Sequence, residues 1–137
     1  MDHDSDIDIN TDEMVDFLVG LLNTPSPTGD TDRAMTYVQN AFADLVTLAQ
    51  SPKGFLTGTL PGQNRQTPRA LTAHVDTLGA MVSKIKSNGR LQMTQLGGWI
   101  WNSVEGIGVT VFASNGETYR GAIMPTSASI HAHTRAE

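Results

Sequence analysis

His74 and Asp76 stand two residues apart at the end of the run Arg69-Ala70-Leu71-Thr72-Ala73, and their types and spacing could hold a metal. In an extended strand alternate side chains share a face, which puts the two on the same side, roughly 6.6 Å apart along the backbone. A neutral imidazole binds a divalent ion through one ring nitrogen. A neighbouring carboxylate takes the other N–H, which fixes the tautomer and raises ligand basicity. A bare His-x-Asp pair is also a common surface pair, so the rest of the chain has to decide. Two other patterns invite the same chemistry and carry it less well. Asp2, Asp4, Asp6 and Asp8 alternate around His3, but crowded like charges at a terminus repel and stay solvated, and no glycine or distal glutamate shapes a calcium loop. Residues 1–9 read as a disordered acidic tail. His131 and His133 could grip a metal together, yet their small, polar, terminal surroundings read as a solvated end.

The composition narrows the chemistry. The chain has 137 residues, a net charge of -5 and no cysteine, which excludes disulfides, Cys-ligated zinc and thiol nucleophiles and leaves His, Asp and Glu as metal ligands. Lys and Arg form no basic run, which argues against nucleic acid or an anionic membrane as partner. No apolar run approaches ~18 residues and no basic-then-apolar leader opens the chain, so a cytoplasmic protein is expected. A chain this long can bury roughly two-thirds of its unfolded surface if it closes on itself.

The elements that must position His74 and Asp76 come next. Asn10 and Glu13 have capping-box spacing, and Met14, Phe17, Leu18, Leu21 and Leu22 recur at helical intervals, predicting a helix over 11–23. Thr24-Pro25-Ser26-Pro27-Thr28-Gly29 ends it. A second helix, capped by Asp30 or Thr31, follows with Ala34, Tyr37 or Val38, Ala41, Phe42 and Leu45 as its apolar stripe. Residues 46–49 and 55–60 read as a strand pair around Ser51-Pro52-Lys53-Gly54. After a solvated loop over 61–68, residues 69–73 are expected to form a strand buried on both faces, parallel or central in a sheet, with His74 and Asp76 at its carboxyl end, where ligands gather in open α/β sheets.

Beyond Gly79 helical periodicity disappears. Ser87-Asn88-Gly89 and Ser114-Asn115-Gly116 sit between extended runs, and Asn-Gly in that setting predicts a hairpin in which both residues accept positive φ. Gly97-Gly98-Trp99 marks a bend, and Trp99 and Trp101 are expected to share a strand face. The shift in pattern at Thr77 and Leu78 is the candidate domain boundary; the alternative is a single continuous α+β domain. Ser26 lacks a neighbouring base and reads as a turn residue, and Arg33 and Arg69 read as surface charges.

These residues, in this order, resemble the N-terminal part of the dinuclear metalloaminopeptidase family that includes glutamyl aminopeptidases, tetrahedral aminopeptidases and endoglucanase-like peptidases. The resemblance rests on Pro25-Ser26-Pro27-Thr28-Gly29, Ala73-His74-Val75-Asp76-Thr77-Leu78-Gly79, Met81-Val82, Asn88-Gly89, Leu96-Gly97-Gly98-Trp99 and the segment 121–125. Within the family it is similar to the subgroup associated with an N-acetylglutaminylglutamine amide osmoprotectant system. The resemblance implies an α/β zinc-peptidase domain, with two helices plus strands over 10–77, followed from 78 to 137 by an incomplete, β-rich, PDZ-like inserted dimerisation domain. It implies that His74 is a ligand to one of two divalent ions, zinc or cobalt, and that Asp76 orients it. The reaction implied is hydrolysis at the N-terminal residue of a peptide, with a metal-activated water, a glutamate base and a metal-polarised carbonyl. A homo-oligomer formed through the β-rich part is implied as well.

The family's remaining ligands, a bridging Asp, a Glu-Glu pair, a further carboxylate and a last His, have no counterpart in these residues. Glu13, Glu105, Glu117 and Glu137 are scattered, and no Glu-Glu occurs. One His and one Asp cannot hold two metals. The expectation is therefore a truncated aminopeptidase, inactive alone and binding metal at most partially. The readings set against it are a non-catalytic dimerisation or interaction module and a small metal-binding protein using His74, His131 and His133.

Overall fold

The computed structural model describes residues 8–126, so the acidic tail before Asp8 and the pair His131 and His133 lie outside the described residues. Helix α1 spans Thr11–Leu22. The Asn10 side chain accepts from the Glu13 N–H at 3.2 Å and donates to the Glu13 carboxylate at 3.3 Å, the reciprocal N-terminal cap expected from the spacing. At the other end Asn23 Nδ2 donates to the Val19 carbonyl at 2.8 Å and the Thr24 hydroxyl to that of Gly20 at 2.9 Å, so side chains take up carbonyls the helix leaves open.

Helix α2 spans Asp32–Phe42, with Thr31 as its N-cap residue, though the Thr31 side chain makes no capping bond. The helices meet where α1 is thinnest. A methyl at Gly20 would overlap the Tyr37 hydroxyl and sit 2.7 Å from Tyr37 Cζ, so glycine lets the Tyr37 ring lie against α1. That ring reaches Phe17, centroids 5.5 Å apart, and its hydroxyl donates to the Phe17 carbonyl at 3.2 Å. Phe42 meets Phe17 edge-on at 5.8 Å, and Ala34 is fully buried. The expected stripe of α2 is thus only partly covered, since Leu45 is 64% exposed. The outer face of α1, with Met14, Val15, Leu18, Val19 and Leu22, is also exposed.

Among the described residues six strands form three separate two-stranded antiparallel sheets. β1 (Thr47–Gln50) pairs with β2 (Leu56–Thr59), with Gln50 opposite Leu56. β3 (Gly79–Ile85) pairs with β4 (Leu91–Leu96), with Gly79 opposite Leu96, and the register shifts between Val82 and Lys84, where the Ser83 hydroxyl donates to the Gln92 carbonyl. β5 (Gly108–Phe112) pairs with β6 (Thr118–Ala122), with Phe112 opposite Thr118. All three hairpins close the same way. The N–H of Gly54, Gly89 or Gly116 donates to the carbonyl three residues back, of Ser51, Lys86 or Ala113, whose own N–H donates to the carbonyl of Phe55, Arg90 or Glu117.

In each loop the glycine alone has positive φ, +87°, +79° and +85° in turn, and among the described residues no other residue type does. The asparagine-glycine loops are therefore three-residue turns with a glycine bulge rather than two-residue turns with both residues at positive φ. Asn88 and Asn115 stay in ordinary backbone and use their side chains instead, accepting from the N–H groups of Arg90 and Glu117.

Two further expectations are corrected. Residues 69–73 belong to no strand, and Leu71 is fully exposed. A parallel or central strand exists only where neighbours supply its hydrogen bonds, and among the described residues none pairs with this run. Trp99 and Trp101 do not share a strand either. Trp101 opens a 3-10 turn (Trp101–Ser103), although the rings still pack edge-on with centroids 4.6 Å apart. The chain divides into two compact units, 1–97 and 98–137. The first holds both helices and the first two hairpins, and the second holds the 3-10 turn and the third hairpin.

Candidate functional site

Three consecutive loop residues bring the proline-rich segment to the His-x-Asp segment. The Thr77 N–H donates to the Ser26 carbonyl at 2.7 Å, and Pro27 and Thr77 form a parallel β-bridge. Gly79 makes room for this, because a Cβ there would stand 2.7 Å from Pro27 Cβ. Ser26 is buried, as suits a residue pinned through its backbone, and its hydroxyl has no partner among the described residues. Nothing about Ser26 marks a nucleophile.

With the segments so joined, Asp76 is held from two sides. The Thr28 hydroxyl donates to one carboxylate oxygen at 2.7 Å, and His74 Nδ1 lies 2.9 Å from the other and 3.2 Å from the Asp76 backbone carbonyl. Both groups facing Nδ1 are acceptors. A neutral His74 must then carry its proton on Nδ1 and present the Nε2 lone pair outward. The imidazole is 83% exposed and the carboxylate 39%. The Thr28 hydroxyl above all holds the Asp76 carboxyl below the usual carboxylate range; desolvation opposes it, and the hydrogen bond and charge of His74 add lesser lowering effects.

His74 and Asp76 are thus brought together as the sequence suggests, through Nδ1 and one carboxylate oxygen. Thr28 is the residue that sequence reasoning left unassigned, for it lies 48 positions from Asp76 and no local pattern links them. Arg33 is paired with Asp30 at 2.6 Å on the surface. Tested as metal ligands, these residues fit one position and no more. His74 has Nδ1 on Asp76 and an exposed imidazole, but among the described residues no group of three or more His, Cys, Asp or Glu could hold an ion.

Longer known proteins resemble this chain. "Putative aminopeptidase YhfE" of Bacillus subtilis (strain 168) is 40% identical over 114 residues, covering 82% of this chain and 33% of the relative. The crystal structure of a TET aminopeptidase from a marine sediment thaumarchaeon matches 86% of this chain and 33% of its own, with 25% identity and a TM-score of 0.76. The chain therefore spans about a third of the length of these relatives. Residues 54–137 match the sequence profile of the M42 glutamyl aminopeptidases, and on that match the chain belongs to the M42 glutamyl aminopeptidase family.

Proposed function

We propose that this chain contributes one corner of a two-metal aminopeptidase site, in which His74 binds a divalent ion through Nε2 and Asp76 fixes its tautomer from Nδ1. The observation that carries this reading is the 2.9 Å contact of the Asp76 carboxylate with His74 Nδ1 on an imidazole that is 83% exposed. The chemistry such ions supply when bound, zinc or cobalt, is activation of water and polarisation of the scissile carbonyl of a peptide's N-terminal residue. What the described residues themselves do is narrower. Asp76 holds the proton on Nδ1, raises the basicity of the opposite nitrogen, and keeps the ring from turning. The other ligands and the general base belong to the part of the fold beyond the third represented here, and residues 1–137 by themselves do not hydrolyse peptides. A cytoplasmic setting belongs to the same reading and accords with an acidic, cysteine-free composition; the osmoprotectant-linked subgroup belongs to it through the motif resemblance alone.

Zinc titration of the nitrogen-15-labelled chain tests the ligand assignment. The His74 Nε2 resonance should move while Nδ1 stays protonated, with weak affinity because three or four ligands are needed for tight binding. A response at Nδ1, or none at millimolar zinc, contradicts the assignment.

A second reading has its own observation. Leu78, just before the β3–β4 hairpin, and Met81, Ile85 and Leu91 within it are 62%, 57%, 70% and 44% exposed, more apolar surface than a free hairpin keeps in water at no cost. We assign the β-rich part from Leu78 onward to a PDZ-like inserted domain through which copies of the protein associate. Light scattering should show mass rising with concentration, and replacing Met81 and Ile85 by lysine should abolish the rise. A monomer at all concentrations contradicts this.

A further inference from the structure

We propose that Thr28 is a positioning residue for His74, acting through Asp76, so that the proline-rich loop and not the His-x-Asp segment alone sets which imidazole nitrogen faces outward. The inference rests on the reading of His74 as a metal ligand for its purpose, and on the hydrogen bonds alone for its geometry. A carboxylate on an exposed loop can turn about its last torsion and exchange its oxygens, which broadens the orientation of anything bonded to it. Here one oxygen is occupied by the Thr28 hydroxyl at 2.7 Å, which leaves the other, 2.9 Å from His74 Nδ1, as the acceptor for the ring.

Thr28 is itself placed by several constraints. Pro25 and Pro27 flank the buried Ser26. The Ser26 carbonyl is tied to the Thr77 N–H, and Pro27 occupies the space that Gly79 leaves open. The Pro27 carbonyl then accepts from the Asp30 N–H at 2.8 Å across a turn in which Gly29 has φ +94°. This turn carries the Thr28 hydroxyl towards the carboxylate. Among the described residues the imidazole, 83% exposed, has Asp76 as its partner on the Nδ1 side, so whatever holds Asp76 steadies the ring.

The test reads the tautomer directly and needs no metal. Long-range proton–nitrogen spectra of the 137-residue chain at about pH 8, where histidine is neutral, report the ratio of Nδ1–H to Nε2–H at His74. In the unaltered chain Nδ1–H should dominate. Thr28→Val removes the donor and keeps the shape, and the ratio should fall roughly three- to tenfold, the usual range for losing one ordinary, solvent-exposed hydrogen bond. Thr28→Ser restores the hydroxyl and should restore the ratio. The exchange protection of the Thr77 amide shows whether the loop is still seated.

A proton on Nε2 in the unaltered chain, an unchanged ratio in Thr28→Val, or a Thr28→Ser variant that falls with it would overturn the proposal. Thr28→Ala serves as a second variant without the hydroxyl. If both it and Thr28→Val unseat Thr77, the role is structural and the proposal likewise fails. Its fate is separable from that of the metal assignment. Zinc that leaves Nε2 unmoved removes the ligand and not the tautomer effect, whereas an indifferent Thr28→Val with zinc still bound at Nε2 removes only the role of Thr28.

Discussion

At the scale of single residues, Asp76 is the point where two segments of the chain converge. Its carboxyl is held below its ordinary value of 3.8, first by the Thr28 hydroxyl and then by His74. A folded-state value below the unfolded one means that the linkage contributes in full above pH 3.8 and is lost as pH falls through the lowered value. The carboxyl-carbon titration of Asp76 should therefore have its midpoint below 3.8, and Thr28→Val should move it back up. A midpoint at or above 3.8 in the unaltered chain would contradict the geometry. The His74–Asp76 contact was legible in the sequence because it spans two residues and needs only an extended backbone. The Thr28 contact was not, because it depends on a bridge between Pro27 and Thr77 that no periodicity encodes.

Among the elements, those fixed by near neighbours were the ones the sequence revealed. The Asn10 and Glu13 cap sets the start of α1, and glycine at the last loop position sets each hairpin. The turn type escaped because asparagine offers both positive φ and side-chain acceptance, and the chain uses the second. The strand expected at 69–73 shows the limit of pattern, since an apolar run states a preference for burial but not what will pair with it. The packing of α1 against α2 is a sharper test of element-level reasoning. Gly20→Ala gains about 1 kcal/mol of helix propensity but forces a methyl into the Tyr37 ring, and overpacking of this kind costs about 1–3 kcal/mol. A net loss of stability of about 1 kcal/mol is expected in denaturant unfolding. Tyr37→Phe removes the overlapping hydroxyl, so the double variant should lose less than the sum of the two single ones; strict additivity would mean that Gly20 and Tyr37 do not meet.

For the molecule as a whole, burial is the decisive quantity. Ala34 and Ser26 are the fully buried residues among those described, far short of the core that 137 residues can form when a chain closes on itself. The outer face of α1 and the exposed Leu71 are where apolar surface waits for cover, which accords with a chain spanning a third of the length of its M42 relatives. The most direct test of the account supplies the remainder. In a chimera, the matched 114-residue segment of the Bacillus subtilis relative would be replaced by the corresponding part of this chain, and hydrolysis of aminoacyl nitroanilides followed with zinc or cobalt present. Metal-dependent turnover is expected, abolished by His74→Ala and reduced about 10- to 100-fold by Asp76→Ala. A folded chimera whose turnover is indifferent to His74 would contradict it.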